Sequence, residues 1–137
     1  MNRFTKIGAT GLELPDDAPV WVAVKDAQLG LWWSLAETEA MTQPNALKAA
    51  AALVTAGFDD WRLPTLAELF ALAEHSRYSP AIDVAFFPKC KSAWYFTGTR
   101  ASYAPAGCAW VVYFADGATT WGDEQNLAQL RAVRTAT

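Results

Sequence analysis

The segment from residue 58 to residue 66 constrains the fold of this chain more than any other. It reads Phe-Asp-Asp-Trp-Arg-Leu-Pro-Thr-Leu. A proline disfavours helical backbone in the residue before it, so Pro64 ends an extended segment at Leu63. Thr65 and Glu68 have the spacing of a capping box, in which each side chain bonds the backbone N–H of the other residue at a helix start. We therefore predict that a strand-like segment ends here and that a helix begins at Thr65.

Trp61 and Arg62 lie just before this junction. We expect the Trp61 ring in the core and the Arg62 guanidinium on main-chain carbonyls or on a carboxylate such as Asp59 or Asp60. The segment contains no nucleophile, no phosphate-binding loop and no set of metal ligands. It is therefore interpreted as part of the scaffold.

The composition excludes several classes of protein. At 137 residues the chain is long enough for one domain, predicted over residues 1–137, and its 53% hydrophobic content with seven Trp indicates a folded core. A net charge of −3 with scattered Lys and Arg argues against nucleic-acid binding. No stretch reaches the roughly 20 apolar residues of a membrane span, so no membrane insertion is expected. Residues 1–6 lack the apolar run of a secretion signal, which predicts either a cytoplasmic or phage-borne protein or a sequence that starts after a removed leader.

Hydrophobic periodicity predicts strands near both chain ends and two helices between them. Residues 20–24 are expected to form a buried strand before a turn at residues 25 and 26, and residues 29–35 a second strand. Further strands are expected at residues 94–99, 109–114, 119–121 and 129–134. This order predicts an α+β fold.

The two predicted helices have clear boundaries. The first should begin at Pro44, run to Ala56 and stop at Gly57. The second should run from Thr65 to about residue 76. The residues predicted to face the core are Leu47, Ala50, Ala51 and Val54 in the first helix, and Leu66, Leu69, Phe70 and Ala73 in the second.

Cys90 and Cys108 are the two cysteines of the chain. They precede Trp94 and Trp110 in segments that we expect to pair as neighbouring strands. A disulfide is geometrically possible, and it would close a loop of about 18 residues and contribute roughly 3 kcal/mol in the chain-entropy account. Two reduced, half-buried thiols are the alternative.

The sequence offers no catalytic set of residues. His75 is the sole histidine and lies at the end of the second predicted helix, where a surface or capping role is expected. No Ser-His-Asp set or Cys-His pair is indicated. A zinc site needs three or four nitrogen or sulfur ligands, which this chain does not supply as a set. We expect no catalysis, no metal and no cofactor.

The segments of residues 100–107 and 118–126 have the composition of a binding surface. Tyr, Trp, Arg and small polar side chains are enriched in such surfaces because they give contact area at low entropic cost. Alternation along residues 109–114 puts one face of that strand in the core and favours exposure of Tyr103, Tyr113 and Trp121. The predicted ligand-binding residues are Arg100, Ser102, Tyr103, Tyr113, Thr119, Trp121, Asp123 and Asn126.

Several motifs, in order along the chain, resemble those of one family. Residues 60–69 resemble the Asp-Trp-Arg-Leu-Pro-x-x-x-Glu-Leu motif of the Legionella collagen-like protein C-terminal domain family. Residues 30–33 resemble its Gly-Leu-x-Trp entry strand, residues 94–99 and 109–117 two later strands, and residues 131–134 its closing strand. The ordered set covers about residues 28 to 134.

The resemblance implies a C-type-lectin-like fold, with two helices packed on a small twisted antiparallel sheet formed by both chain ends. Relatives serve as adhesive tips, as ligand-binding ends of larger surface proteins, and as variable proteins of diversity-generating retroelements in bacteria and phage. The resemblance therefore implies recognition of a protein or glycan through the loops of residues 95–126, at a cell or virion surface. The chain alone defines neither the ligand nor the oligomeric state.

Other functions are open at this point. An intracellular or phage-encoded protein–protein interaction factor or inhibitor is the main alternative, and a small enzyme is the second. Residues 43–45 and 121–123 superficially resemble motifs of calcium-dependent lectins. Calcium needs six to eight oxygen ligands. Some of these could come from a cluster of polar residues, Asp116, Asp123, Glu124 and Asn126. We expect this cluster to be a solvated loop instead.

Overall fold

The structure is a computed structural model of the chain and describes residues 3–101 and 107–136. In this part of the chain the elements follow in the order β1 Phe4–Ile7, β2 Glu13–Leu14, β3 Ala23–Asp26, β4 Leu31–Ser34, α1 Gln43–Ala52, α2 Leu66–Leu72, β5 Trp94–Arg100, β6 Cys108–Tyr113, β7 Ala118–Asp123 and β8 Val133–Thr135.

The strands form two antiparallel sheets. The first has the order β2-β1-β3-β4-β8 and so contains strands from both ends of the chain, and the second has the order β5-β6-β7. The predicted α+β class, with a sheet built from both chain ends, is confirmed. The strands between residues 94 and 123 form a separate sheet, which the sequence pattern did not distinguish from the first. The arrangement is compatible with a C-type-lectin-like fold.

One segment near the C-terminus joins the two sheets. The N–H of Gln129 donates to the carbonyl of Trp94 (2.8 Å), and the N–H of Phe96 donates to the carbonyl of Gln129 (2.9 Å). A few residues later, β8 pairs with β4 on one side and bridges to Arg62 on the other. The segment therefore covers the outer edge of β5 before it completes the first sheet.

The second sheet is buried on both faces at its centre. Tyr95 belongs to a core cluster with Trp33 and Leu69, whereas the next residue, Phe96, belongs to a cluster with Trp61. Successive side chains of a strand point to opposite faces, so β5 packs on two cores. The same holds for Val111 and Val112 of β6 (5% and 0% exposed).

Helix α1 is shorter than predicted, and a different face of it is buried. It ends at Ala52, and Leu47 and Val54 are exposed (43% and 72%). Its buried positions include Ala46 and Ala50, which pack in the cluster around Trp61. Small side chains on this stripe let the helix approach the second sheet closely. The predicted stripe of Leu47, Ala51 and Val54 was therefore wrong, although Ala50 was placed correctly.

Helix α2 begins with the predicted capping box. The N–H of Glu68 donates to Thr65 Oγ1 (3.2 Å), and the N–H of Thr65 donates to Glu68 Oε1 (2.8 Å). Leu69 is fully buried, as predicted, but the helix ends at Leu72 and Phe70 is 45% exposed. The helix is thus about one turn shorter than its apolar pattern indicates.

Trp61 is buried as predicted (3% exposed), and its Nε1–H donates to the carbonyl of Phe58 (3.1 Å). As expected, the Arg62 guanidinium donates to a main-chain carbonyl, that of Leu63 (3.3 Å), and to a carboxylate, but that carboxylate is neither Asp59 nor Asp60. The guanidinium binds both carboxylate oxygens of Glu68 (2.8 and 2.9 Å). Glu68 therefore serves the cap and the ion pair at once, whereas the Asp60 carboxylate pairs with Arg134.

The strand predicted at residues 20–24 begins later, as β3. Val20 is 75% exposed, and Asp26, predicted in a turn, is a fully buried strand residue. Arg3 donates two hydrogen bonds to its carboxylate (2.9 and 2.8 Å), and Trp33 Nε1 donates a third (3.1 Å). These charge-assisted bonds offset the cost of burying the carboxylate. Neither described helix has the length and apolar composition needed to cross a membrane.

Candidate functional site

Five of the eight predicted binding residues lie on the three-stranded sheet: Arg100, Tyr113, Thr119, Trp121 and Asp123. In the register of this sheet Phe96 lies opposite Val111, and Val111 lies opposite Thr120. Directly opposite residues share a face of a sheet. These three residues therefore form a row across the sheet that ends at β7, the outer strand.

A cavity of about 190 Å³ adjoins this row. It is lined by Trp94, Phe96, Val111, Thr120, Trp121, Gly122, Asp123, Asn126, Leu127 and Ala128. Three predicted binding residues, Trp121, Asp123 and Asn126, thus lie around one cavity. Trp94 and Leu127 were not predicted as binding residues, and both are exposed, at 37% and 67%. The cavity combines aromatic and apolar surface with a carboxylate and an amide, as ligand sites do.

Tyr113 supports the cavity indirectly. It is half-buried, and its ring stacks on that of Trp94 with centroids 4.5 Å apart and planes inclined by 19°. The two residues are cross-strand partners in the β5–β6 register. Such aromatic pairs stabilise the sheet beyond the area that they bury, so Tyr113 fixes the orientation of the Trp94 ring.

Arg100 lies at the end of β5 and pairs with Glu124 (Nη2 to Oε1, 3.0 Å). The Arg100 side chain is 74% exposed, whereas that of Glu124 is only 11% exposed. The backbone of Glu124 is held as well, because its N–H donates to the carbonyl of Gly107 (2.7 Å) and its carbonyl accepts from the N–H of Gln43 (2.8 Å). Arg100 is therefore tied to the segment after β7 while part of its surface faces solvent.

The remaining predicted residues are less informative. Thr119 is half-buried within β7 and does not line the cavity. Ser102 and Tyr103 lie outside the residues that the structure describes. Of the eight predicted residues, the structure thus places three at the cavity and connects Tyr113 and Arg100 to its surroundings.

The carboxylates considered as calcium ligands bind local partners instead. Asp116 Oδ1 accepts from the N–H of Ala118 (2.9 Å), and Asp123 Oδ1 accepts from the N–H of Gln125 (2.8 Å). Glu124 is paired with Arg100. Within residues 3–101 and 107–136, no group of three or more His, Cys, Asp or Glu side chains is arranged to hold a metal ion.

The two cysteines are free thiols at opposite ends of the second sheet. The antiparallel register places Cys108 beyond the Arg100 end of β5, whereas Cys90 contacts Tyr95 near the other end. The disulfide considered from the sequence is therefore excluded by the pairing direction. Burial raises the pKa of Cys90 above its usual value, which keeps it a neutral thiol at neutral pH.

His75 has a structural partner. Its Nε2 lies 2.9 Å from the carbonyl oxygen of Gly117, in the turn between β6 and β7. Gly117 has a positive φ of 84°, and a Cβ there would lie 2.6 Å from the imidazole ring. The turn can pack against the His75 ring only because residue 117 is a glycine and has no side chain.

A buried polar cluster was missed by sequence reasoning. Arg131 is 1% exposed; its Nη2 pairs with Glu37, and its Nη1 donates to the carbonyl of Ser34 (2.8 Å). Tyr95 Oη donates to Glu37 Oε1 (2.8 Å), and burial raises the Tyr95 pKa, so that the phenol remains a donor. The cluster connects the first sheet, the segment after it and β5. No local sequence pattern indicates partners so far apart in the chain.

Comparison with known families agrees with the sequence resemblance. The family model described as the Lcl C-terminal domain matches residues 22–134. This span begins just before β3, ends within β8 and contains both helices and all eight predicted binding residues. No curated protein matches the chain.

Proposed function

Since this chain belongs to the Lcl C-terminal domain family, we propose that it is a non-catalytic domain that recognises a protein or a glycan through the C-terminal half of the chain. The observation that carries the proposal is the cavity lined by Trp94 and Trp121, each 37% exposed, together with Asp123 and Asn126. An adhesin-like role, or that of a variable protein of a retroelement, is the biological setting that we propose.

The half-exposed aromatic residues support this proposal. Large apolar side chains left at a surface mark interaction sites when they cluster, and Trp94, Trp121 and Leu127 line one cavity. Aromatic rings give contact area with few rotatable bonds, so they lose little entropy when a ligand binds. Asp123 and Asn126 add the acceptors and donors that orient a polar ligand.

The polar groups of the described residues favour recognition over catalysis. His75 is engaged by the Gly117 carbonyl, and the Cys90 thiol has a raised pKa. The buried ionic pair of Arg131 and Glu37 is neutralised internally. A nucleophile activated by a nearby base, the usual requirement of covalent catalysis, is not among these arrangements.

A binding screen with matched variants tests the proposal. Fluorescently labelled wild-type protein is applied to a glycan array and to a displayed library of random peptides, and each ligand found is titrated. We expect Trp94→Ala and Asp123→Ala to weaken binding by about 2 kcal/mol each, the size of a hot-spot effect, while the proteins remain folded. Tyr78→Ala is the control, because Tyr78 is 78% exposed and does not line the cavity.

The proposal fails if ligands bind the Trp94→Ala and Asp123→Ala proteins as tightly as the wild type. It also fails if neither the array nor the library yields a ligand that the wild type binds saturably. Equal losses in all three variants, the Tyr78→Ala control included, would place the site outside the cavity.

A further inference from the structure

The outer edge of β7 carries backbone groups that no described residue pairs with. The β5-β6-β7 sheet ends at β7, which is six residues long. Other sheet edges in the described chain are short or covered. β2 has two residues, Gln129 covers β5, and Arg62 bridges to β8.

The ladder shows which groups of β7 face outward. The N–H of Phe114 donates to Ala93 and the carbonyl of Cys108 accepts from Ala101, so even-numbered residues of β6 bond toward β5. In an antiparallel ladder alternate residues bond to opposite neighbours, so odd-numbered residues of β6 bond toward β7. Their partners in the register are Ala118, Thr120 and Gly122.

Thr119 and Trp121 therefore direct both N–H and C=O away from β6. Within the described residues none of these four groups has a hydrogen-bond partner. Natural edge strands usually carry lysine, proline or a bulge that prevents pairing. The sequence of β7, Ala-Thr-Thr-Trp-Gly-Asp, contains neither lysine nor proline, and its register with β6 is regular over all six positions.

From these observations we propose that the edge of β7 binds an extended peptide segment of a partner protein by strand addition. The inference rests on the proposed function and names the mode of binding and the partner class. In strand addition the main chain supplies affinity, and pockets for alternate side chains supply specificity. Both parts are present here.

The cavity is the pocket for an alternate side chain. The row of Phe96, Val111 and Thr120 crosses the sheet along the cavity and ends at β7. A strand added outside β7 places one residue opposite Thr120, as the next member of this row. An apolar side chain at that position extends over the cavity, where Leu127 is 67% exposed.

Charge at the two ends of β7 identifies the chemistry of the partner. Asp116 precedes the strand and Asp123 ends it, both are exposed, and neither forms a salt bridge with a described residue. Asp116 lies in the turn before the strand, and the strand itself spans about 17 Å from Ala118 to Asp123 at 3.3–3.4 Å per residue. A partner segment with Lys or Arg on each side of a central apolar residue complements both carboxylates.

The same charges disfavour a second copy of this chain as the occupant. Antiparallel self-pairing that satisfies the outward groups places Thr119 of each copy opposite Trp121 of the other. This register puts the exposed Asp116 of one copy close to the exposed Asp123 of the other. Like charges opposite each other destabilise strand pairing, so the acidic ends select a basic partner over self-association.

A displayed library of random peptides tests the proposal, with synthetic copies of the selected peptides as probes. We expect selection of extended sequences with an apolar centre flanked by basic residues. Thr119→Pro removes an outward N–H without removing a β6–β7 bond, a position where an edge strand tolerates proline. Thr119→Val keeps that N–H and has nearly the same shape. The Thr119→Pro protein should bind the selected peptides about tenfold more weakly than the Thr119→Val protein.

Amide hydrogen exchange of the wild-type protein gives a second readout that needs no variant. Peptide should protect the N–H groups of Thr119 and Trp121, whereas that of Thr120 is protected with or without peptide. Selected peptides that leave the exchange of Thr119 and Trp121 unchanged, or that bind both Thr119 variants equally, overturn strand addition. A glycan ligand lost in Trp94→Ala but not in Thr119→Pro also overturns it and leaves the proposed function standing. A dimer formed through β7 in the free protein overturns the assignment of the partner.

Discussion

Asp60 and Arg134 are joined by two hydrogen bonds across 74 positions of the chain, from Nε to Oδ1 (2.6 Å) and from Nη2 to Oδ2 (3.1 Å). Asp60 begins the Asp-Trp-Arg-Leu-Pro motif, and Arg134 ends the closing strand. The guanidinium also lies over the Phe58 ring, 3.6 Å from its centroid. The Asp-Trp-Arg-Leu-Pro motif and the closing strand therefore hold each other in place, and the role of Asp60 is structural.

The Asp60–Arg134 pair predicts a pH-dependent stability. The hydrogen bond from Arg134 lowers the pKa of Asp60 in the folded state. A lowered folded pKa gives a contribution that is complete above the unfolded value of about 3.9 and is lost as pH falls through the folded value. Asp60→Asn should therefore reduce the free energy of unfolding by about 1 kcal/mol at pH 7, a modest value because the carboxylate is half-exposed. The difference from wild type should shrink below about pH 4.

Urea denaturation at pH 7, 5 and 3 measures this difference. Asp59→Asn is the matched control, because Asp59 is exposed and forms no salt bridge with the described residues. A gap between Asp60→Asn and wild type that stays constant from neutral to acidic pH would contradict the role given to the ion pair.

Replacement by alanine should destabilise the protein much more at Trp61 than at Trp121. Trp61 is 3% exposed and Trp121 is 37% exposed. Trp61→Ala leaves a cavity in the core and should cost about 3 to 5 kcal/mol, measured by urea denaturation. Trp121→Ala should cost about 1 kcal/mol or less. Similar losses in both variants would mean that the burial of the two rings does not differ in solution.

The capping box predicts a small and specific loss. Thr65→Ala removes the acceptor of the Glu68 N–H and should lower the free energy of unfolding by about 1 kcal/mol. Thr65→Ser keeps the hydroxyl and should remain within about 0.5 kcal/mol of wild type. Denaturation midpoints distinguish the two. If serine destabilises the protein as much as alanine, the cap contributes nothing and the lost methyl group is the cause.

The Cys90 thiol should react slowly with thiol reagents in the folded protein. Burial raises the pKa of Cys90, and Cys108 is 8% exposed. In a Cys108→Ser protein, a thiol reagent at pH 8 should label Cys90 at least about tenfold more slowly in buffer than in urea, because the thiolate is the reactive form. Mass spectrometry of the unfolded wild type should show two labels. Rapid labelling in buffer, or fewer than two labels in urea without reductant, would contradict this description.

The sequence predicted features that depend on neighbouring residues and missed those that depend on residues far apart in the chain. The start of α2 was predicted because the capping box lies within four residues. The inward face of α1 was wrong because an alanine-rich helix has two stripes of similar apolar character, and only the neighbouring sheet decides between Ala46 and Leu47. At the site, the composition of residues 118–126 indicated Trp121, Asp123 and Asn126. It could not indicate Trp94, which reaches the same cavity from β5 through pairing that the sequence does not encode locally.

Because Arg131 and Glu37 form a buried ion pair, the conservative substitution Glu37→Gln should lower the free energy of unfolding strongly. Arg131 is 1% exposed and Glu37 is 12% exposed in their side chains. Glu37→Gln keeps the shape and the acceptor for Tyr95 but leaves the guanidinium charge without its partner. Removing one member of a buried pair costs about 3 to 5 kcal/mol, because the remaining charge stays buried and uncompensated.

The matched variants make this test specific to charge. Glu39→Gln, at an exposed position two residues away, should change the unfolding free energy by less than about 0.5 kcal/mol. In Glu37→Gln/Arg131→Met the uncompensated charge is gone, so the double variant should be more stable than Glu37→Gln alone. Urea denaturation at pH 7 measures all three. A double variant less stable than Glu37→Gln would show that Arg131 stabilises the fold through its hydrogen bond to Ser34 and its packing, and not through its charge.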